Sequence, residues 1–180
     1  VWNVTSMRVD RRFLLGALLA SAAAPAMAQT PARRYWPVVT DHPQALEISG
    51  DATSRPLRRF NAPRPAVRAD NPTRRHAGVD LFARPGDLVV AVEDGRIVGF
   101  YPFLRARTGE MSYALLVAHE DFVANYGEVR EASLRNRGLA VGDAVRAGNV
   151  IAEISDTAQL HFEIYAPGTT RNQSWPHGAP

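Results

Sequence analysis

Two short segments of this chain hold residues that could bind a metal ion: His76-Ala-Gly-Val-Asp80 and Gln159-Leu-His161-Phe-Glu163. Together they place two imidazoles and a carboxylate where one zinc ion could hold them. A catalytic zinc commonly takes such a set and leaves its fourth position to water. The chain has no cysteine, so thiolate ligands are excluded. Any zinc site must therefore be built from histidine and carboxylate.

The spacing within both segments suits extended chain. Side chains alternate between the two faces of a strand, so His76 and Asp80 can share a face, and so can Gln159, His161 and Glu163. The residues between the last three are apolar and face the other way: Leu160, Phe162 and, beyond them, Ile164. This alternation predicts a half-buried strand that is polar toward a site and apolar toward a core.

The segment from His76 to Asp80 has a second possible reading. Residues four apart also share a helix face, which would align the same pair. Gly78 and the β-branched Val79 disfavour a helix at this point. We therefore expect a strand, or a loop that enters one.

The elements that must position these residues are β-strands. The sequence predicts three strand pairs, namely 87–92 with 97–101 across the Asp94-Gly95 turn, 113–119 with 122–126, and 141–145 with 149–154. Residues 159–165 close the series. Many short strands without a clear helix predict an all-β fold, an antiparallel sandwich or barrel-like sheet.

The start of the chain resembles an export signal. A basic stretch follows Met7, an apolar run covers residues 13–24, and Ala26-Met-Ala28 has the form of a signal-peptidase site. We expect residues 1–28 to be a signal peptide that begins at Met7 and leaves no membrane anchor after cleavage. Arg11-Arg12 partly resembles a twin-arginine signal, and the general secretory route stays open. The expected location is the periplasm or cell envelope.

Beyond the signal, the composition divides the chain into three parts. Residues 29–70 are rich in Pro and Arg and predict an irregular arm, residues 71–167 predict the β domain, and residues 168–180 predict a flexible tail. Without residues 1–28 the formal charge falls from +3 to +1, with 18 Arg against 17 acidic residues. This balance gives no reason to expect a nucleic-acid partner.

Four segments, in order, resemble the lysostaphin-like (LytM-domain) zinc peptidoglycan endopeptidases. They are His76-x-Gly-x-Asp80, a strand leading to Asp94-Gly95, the run from Val141-Gly-Asp to Ile151, and Leu160-His-Phe-Glu163. The resemblance covers about residues 72–166. It implies an antiparallel β core, zinc held by His76, Asp80 and His161, and a substrate in the peptide stems or cross-bridges of the bacterial wall.

Two positions depart from the family's pattern. Members usually carry His-x-His on the last strand, where this chain has Gln159, and Tyr-x-His on a central strand, where Tyr126-Gly-Glu128 is the nearest counterpart. Glutamate can act as general base, and an amide N–H can donate to a developing oxyanion. We therefore take Glu128 and Gln159 as candidate catalytic residues. Glu163 is expected to orient a ligand histidine, and His119, at the end of a strand, is expected to be structural.

Three functions are compatible with this pattern of residues. One is a zinc endopeptidase, and another is a catalytically degenerate relative that binds the wall or regulates another wall hydrolase. The third is a lipoyl-type carrier, because residues 141–151 resemble its hairpin. Such a carrier needs a lysine at its turn, and all 21 basic residues of this chain are Arg. The sequence does not decide between the first two: the complete set of ligands favours the peptidase, toward which we lean, and the missing imidazoles favour the degenerate relative.

Overall fold

The computed structural model of the chain describes residues 33–41, 58–63 and 75–172. Within these ranges the elements are β1 Val38–Val39, β2 Val79–Phe82, β3 Leu88–Val90, β4 Gly95–Arg105, β5 Met111–Ala118, β6 Val123–Arg130, α1 Ser133–Asn136, β7 Ala144–Val145, β8 Val150–Glu153 and β9 Gln159–Tyr165. Every strand pair among them is antiparallel. The all-β fold class predicted from the sequence is confirmed.

The strands form two sheets that enclose one core. The larger sheet has the order β2-β9-β6-β5-β4-β7, and the smaller has the order β1-β3-β8. Apolar side chains from both sheets pack between them, among them Leu115, Tyr126 and Leu160 from the larger and Val89 and Ile151 from the smaller, all completely or almost completely buried. The two sheets form a sandwich. The candidate site lies on the outer face of the larger sheet.

One of the three predicted strand pairs is confirmed, and two are wrong. Strands β5 and β6 pair as expected. The runs on either side of Asp94-Gly95 do not form a hairpin, because β3 pairs with β1 and β8 whereas β4 pairs with β5 and β7. The third pair fails in the same way, since β7 joins β4 and β8 joins β3. In each case the turn carries the chain from one sheet to the other.

Strand β9 covers the predicted range, and its alternation holds except at one end. Leu160 is fully buried and Phe162 packs against the core, but the Ile164 side chain is 60% exposed. Ile164, Phe162, Val79 and the aromatic rings of Tyr35 and Trp36 line an apolar cavity of about 430 Å³. Ile164 therefore lies beside a cavity on the core-facing side of the strand, beyond the end of the packed core.

The predicted arm and tail are partly described. Residues 33–41 supply β1, and the backbone N–H of Val90 donates to the carbonyl oxygen of Pro37. At the other end, the backbone N–H of Asn172 donates to the hydroxyl oxygen of Tyr101, and the Arg171 guanidinium lies 5.2 Å from the centre of that ring. The predicted signal peptide, residues 1–28, lies outside the described residues. No helix among the described residues is both long and apolar enough to cross a membrane.

Candidate metal centre

Strands β2 and β9 bring Asp80 and His161 together. In the antiparallel register Asp80 lies directly opposite His161, so both side chains project from the same face of the larger sheet. Both are buried, with 2% and 6% of their surface exposed. Nδ1 of His161 lies 2.8 Å from Oδ1 of Asp80.

His76 reaches the same point from the loop before β2. The expectation of a loop that enters a strand agrees with β2, which begins at Val79. The loop passes so close to β9 that a Cβ on Gly78 would lie 2.4 Å from the carbonyl oxygen of Phe162. Only glycine fits at this crossing, which explains the residue type between the two candidate ligands.

The three side chains form a compact trio of possible ligand atoms. Nε2 of His76 lies 3.0 Å from Nδ1 of His161 and 3.1 Å from Oδ1 of Asp80. Atoms bound to a tetrahedral zinc at about 2.0–2.1 Å lie roughly 3.4 Å apart. The three distances within the trio are shorter than this by about 0.3–0.6 Å. Among the described residues this is the one group of His and carboxylate side chains close enough to hold a metal.

The outer ring nitrogens of both histidines are already engaged. Nδ1 of His76 lies 2.9 Å from the carbonyl oxygen of Arg59, and Nε2 of His161 lies 2.9 Å from Oε1 of Glu163. Because an oxygen of either kind accepts, these nitrogens carry the protons and donate. The opposite nitrogens then face the centre of the trio, where a metal ion would displace any proton they carry. Histidine ligands of metals are usually held in this way, so the donor set fits a zinc ion.

The charges around the trio favour a cation. Burial disfavours the charged form of Asp80, but hydrogen bonds from His161 and His76 outweigh it and hold the pKa well below its usual range. Burial lowers the pKa of His161, yet its hydrogen bonds to Asp80 and Glu163 raise it to about 9. Glu163 and Glu128 add two more buried carboxylates. Buried negative charge of this density needs nearby positive charge, which protonated His161 supplies without a metal and a divalent ion would supply in its place.

Glu128 stands out by its backbone and its environment. It lies inside β6 with a φ of 68°, a left-handed conformation that costs a non-glycine residue about 1–2 kcal/mol. Its side chain is buried, and burial raises the pKa of the carboxyl group despite the hydrogen bond from Gln159 that lowers it. Strained, buried acidic residues of this kind occur preferentially at functional sites.

The structure places Gln159 in contact with Glu128. Nε2 of Gln159 donates to Oε1 of Glu128 at 2.9 Å, whereas Oε1 of Gln159 is buried without a partner among the described residues. An amide turned the other way would set its oxygen against the carboxylate. The need of Glu128 for a donor therefore fixes the orientation of Gln159 and leaves the second N–H of the amide for another acceptor.

Glu163 is held by side chains that sequence reasoning did not single out. Nδ2 of Asn125 donates to Oε2 of Glu163 at 2.8 Å, and the hydroxyl of Tyr165 donates to the same oxygen. These bonds leave Oε1 to accept from His161, as the expected orienting role of Glu163 requires. Asn125 lies opposite Glu163 in the β6–β9 register, and Tyr165 lies two residues along β9. The alternation of β9 could have pointed to Tyr165, but Asn125 comes from a strand whose register the sequence does not reveal.

His119 lies away from the trio, among core residues. Nδ1 donates to the carbonyl oxygen of Asp94 at 3.0 Å, and Nε2 is 3.3 Å from the hydroxyl of Tyr126. That hydroxyl also accepts from the backbone N–H of Val92 at 2.9 Å, so it donates its own proton to His119. His119 thus satisfies a buried tyrosine, which is a structural role.

The sequence of residues 74–173 matches the family model described as Peptidase family M23. This range contains the trio together with Glu128, Gln159 and Glu163. A comparison with curated proteins finds no match.

Three solved structures are similar to the chain. Csd3 of Helicobacter pylori is 22% identical over 79% of this chain and 36% of that chain, with a TM-score of 0.45. The protein cbpa of L. salivarius is 24% identical over 50% of this chain and 56% of that chain, with a TM-score of 0.39. The catalytic domain of the prophage-encoded M23 protein EnpA of Enterococcus faecalis is 22% identical over 63% of this chain and 81% of that chain, with a TM-score of 0.41. The chain therefore spans between a third and three fifths of the first two proteins.

Proposed function

The chain belongs to peptidase family M23, and from this membership we propose that it is an exported zinc endopeptidase that cleaves peptide linkages of bacterial peptidoglycan. The observation that carries the proposal is the trio of His76, Asp80 and His161, whose ligand atoms lie 2.8–3.1 Å apart. Family membership supports a peptidase acting on peptidoglycan. The export signal read from residues 1–28 supports a role in the cell envelope.

The trio would hold the zinc through Nε2 of His76, Oδ1 of Asp80 and Nδ1 of His161. Bound zinc supplies an acidic water and polarises the scissile carbonyl group. Glu163 and the carbonyl oxygen of Arg59 keep the two imidazoles in the required orientation. The site lies on the outer face of the larger sheet.

Glu128 is the general base of this proposal. Its carboxylate accepts the proton of the attacking water and returns it to the leaving amine. Burial keeps the carboxyl pKa above its usual range, closer to the pH at which the enzyme would operate. Gln159 fixes Oε1 of Glu128 and offers its remaining N–H to the oxyanion that develops on the substrate.

The test combines zinc analysis with digestion of purified peptidoglycan by the purified protein. We expect one zinc per wild-type chain and release of muropeptides. His161→Ala is expected to lose both. Glu128→Gln is expected to keep its zinc and to lose about 10²–10⁴-fold in rate, the usual contribution of a general base.

Glu120→Gln is the matched control, because Glu120 is an exposed carboxylate on the same chain. It is expected to cleave at the wild-type rate. A wild-type protein without stoichiometric zinc would refute the ligand assignment and the peptidase together. If Glu128→Gln cleaves as fast as Glu120→Gln, Glu128 is not the base.

A second function has a specific observation in its favour. Glu128 and Gln159 stand where related proteins usually carry histidines, and their side chains hydrogen-bond to each other. A domain that has lost turnover would still bind zinc and wall peptide, or would regulate another wall hydrolase. Zinc without muropeptide release, together with co-sedimentation with peptidoglycan, would identify this alternative.

A further inference from the structure

His76 is held differently from the other two members of the trio. Asp80 and His161 lie in paired strands, where the register of β2 and β9 fixes their backbones. His76 precedes β2 by three residues and takes no part in that pairing. Its position must therefore be fixed by other contacts.

Those contacts come from a short piece of the predicted arm, residues 59–62. The backbone N–H of Asn61 donates to the carbonyl oxygen of His76 at 2.8 Å, and the N–H of His76 donates to the carbonyl oxygen of Ala62 at 2.9 Å. The carbonyl oxygen of Arg59 accepts from Nδ1 of the His76 ring at 2.9 Å. One tetrapeptide thus engages both backbone groups of His76 and the ring nitrogen that faces away from the trio.

We propose that residues 59–62 are part of the metal centre, a His76 clamp that sets the affinity for zinc. The backbone bonds place the Cα of His76, and the bond to Arg59 fixes the ring so that Nε2 points at Asp80 and His161. Without the clamp, the imidazole could rotate and exchange its tautomer. Such outer partners typically change metal affinity by about 10–100-fold when they are lost.

The backbone of Asn61 shows how the clamp is shaped. Asn61 has a φ of 59°, in the left-handed region that asparagine and glycine adopt more readily than other residues. This turn lets the chain present the Arg59 carbonyl, the Asn61 N–H and the Ala62 carbonyl to the same residue. A substitution that cannot adopt this φ must distort the clamp without altering any of the three ligands.

The test is the zinc dissociation constant of the purified protein, measured by competition with a chromogenic chelator. Asn61→Pro removes the N–H and forbids the positive φ, so we expect its zinc Kd to rise about 10–100-fold. Asn61→Gly keeps both features and is the matched control, with a Kd expected within about threefold of wild type. Nitrogen NMR of labelled histidine reports in the same samples whether Nδ1 of His76 carries the proton.

The proposal rests on the zinc trio of the proposed function, and the experiment separates the two. Failure of the wild-type chain to bind zinc would refute the trio. Zinc binding by wild type with an equal Kd in Asn61→Pro would refute the clamp alone. If Asn61→Pro does not fold, Asn61→Val replaces it, because a β-branched residue strains at this φ and should raise the Kd about 3- to 30-fold. An unchanged Kd in Asn61→Val would equally overturn the clamp.

Discussion

The side-chain amide of Gln159 donates a hydrogen bond to the carboxylate of Glu128 across strands β9 and β6, with Nε2 2.9 Å from Oε1. The two residues are 31 positions apart in sequence, and the resemblance to the family pattern implies that each takes the place of a histidine. Their contact indicates that the two replacements act as a unit. A hydrogen-bond donor stabilises a buried carboxylate more than an exposed one, because little water is available in the interior to take the donor's place.

The first prediction concerns this pair and uses a double-mutant cycle on kcat/KM for wall-peptide cleavage. Gln159→Leu keeps the side-chain size but removes the donor, and we expect a loss of about 10-fold or more, equal to roughly 1.4 kcal/mol. In a Glu128→Gln background the same change should cost less than it does in wild type, because only the donor to the oxyanion is then lost. Gln159 then has no carboxylate to hold.

Additive losses in this cycle would show that Gln159 acts on the substrate independently of Glu128. Zinc content serves as the control, because neither residue belongs to the trio. Equal zinc in all four proteins assigns the rate changes to the pair.

The second prediction concerns the crossing of the His76–Asp80 loop over β9. Gly78→Ala would place a Cβ 2.4 Å from the Phe162 carbonyl oxygen and 2.6 Å from Cγ of Glu163. We expect a loss of about 1–3 kcal/mol in the free energy of unfolding, together with weaker zinc binding, because the loop must shift both candidate ligands. Urea unfolding and chelator competition measure the two effects.

Gly109→Ala is the comparison for Gly78→Ala. Its φ is 95°, so alanine is strained there, but no atom lies within 4 Å of the added Cβ. Destabilisation with unchanged zinc affinity is expected. Equal weakening of zinc binding in both variants would mean that general destabilisation, and not the crossing, controls the site.

Sequence alone predicted the parts of the site that depend on a local period. Strand β9 was predicted from the alternation between Gln159 and Tyr165, and the structure gives it the same bounds. Alternation placed Leu160, Phe162 and Ile164 on the core-facing side correctly, but Ile164 is exposed, since alternation assigns a face and does not say where the core ends. The grouping of His76 with Asp80 likewise follows from their spacing.

Strand pairing was less predictable, because a turn signal marks a reversal without naming the partner strand. Asp94-Gly95 is a strong hairpin signal, yet β3 and β4 on either side belong to different sheets. Val89 pairs instead with Val38 and Ala152, which are distant in sequence. Long-range strand pairing depends on how the whole core is enclosed. A short stretch of sequence does not contain that information.

Contacts made by the backbone were hidden from sequence reasoning altogether. The carbonyl oxygen of Arg59 holds His76, but every residue type offers such an oxygen, and the Pro- and Arg-rich composition of the arm predicted irregular chain. The left-handed φ of Glu128 is equally invisible. Nothing about the residue type of Glu128 indicates it.

The third prediction concerns removal of the metal. A ligand that binds only the folded state stabilises it by about 4 kcal/mol when its concentration is a thousandfold above Kd. For about 150 residues, the length that remains without residues 1–28, a chelator should therefore lower Tm by roughly 8–16 °C. Asp80→Asn is expected to abolish the chelator's effect, whereas Asp121→Asn, at an exposed position outside the trio, should retain it. A chelator shift that persists in Asp80→Asn would place the metal elsewhere.

The last prediction concerns stability at mildly acidic pH and depends on His119. Burial lowers the pKa of His119 below its usual value of 6.5, against weaker opposing effects from Asp94 and Glu93. As pH falls, the unfolded chain therefore binds this proton before the folded protein does. The stability contributed by neutral His119 is complete above pH 6.5 and is lost as pH falls from there through the folded pKa.

Protonation would turn Nε2 of His119 from an acceptor into a donor and break the hydrogen bond that it accepts from the Tyr126 hydroxyl. The hydroxyl proton would then have no acceptor among the described residues. His119→Gln cannot titrate, so its free energy of unfolding should fall less steeply than that of wild type between pH 7 and pH 5. Urea unfolding in the presence of a chelator removes the contribution of zinc from both proteins. Parallel pH profiles for wild type and His119→Gln would show that His119 is not buried in its neutral form, and would overturn the role assigned to it in holding Tyr126.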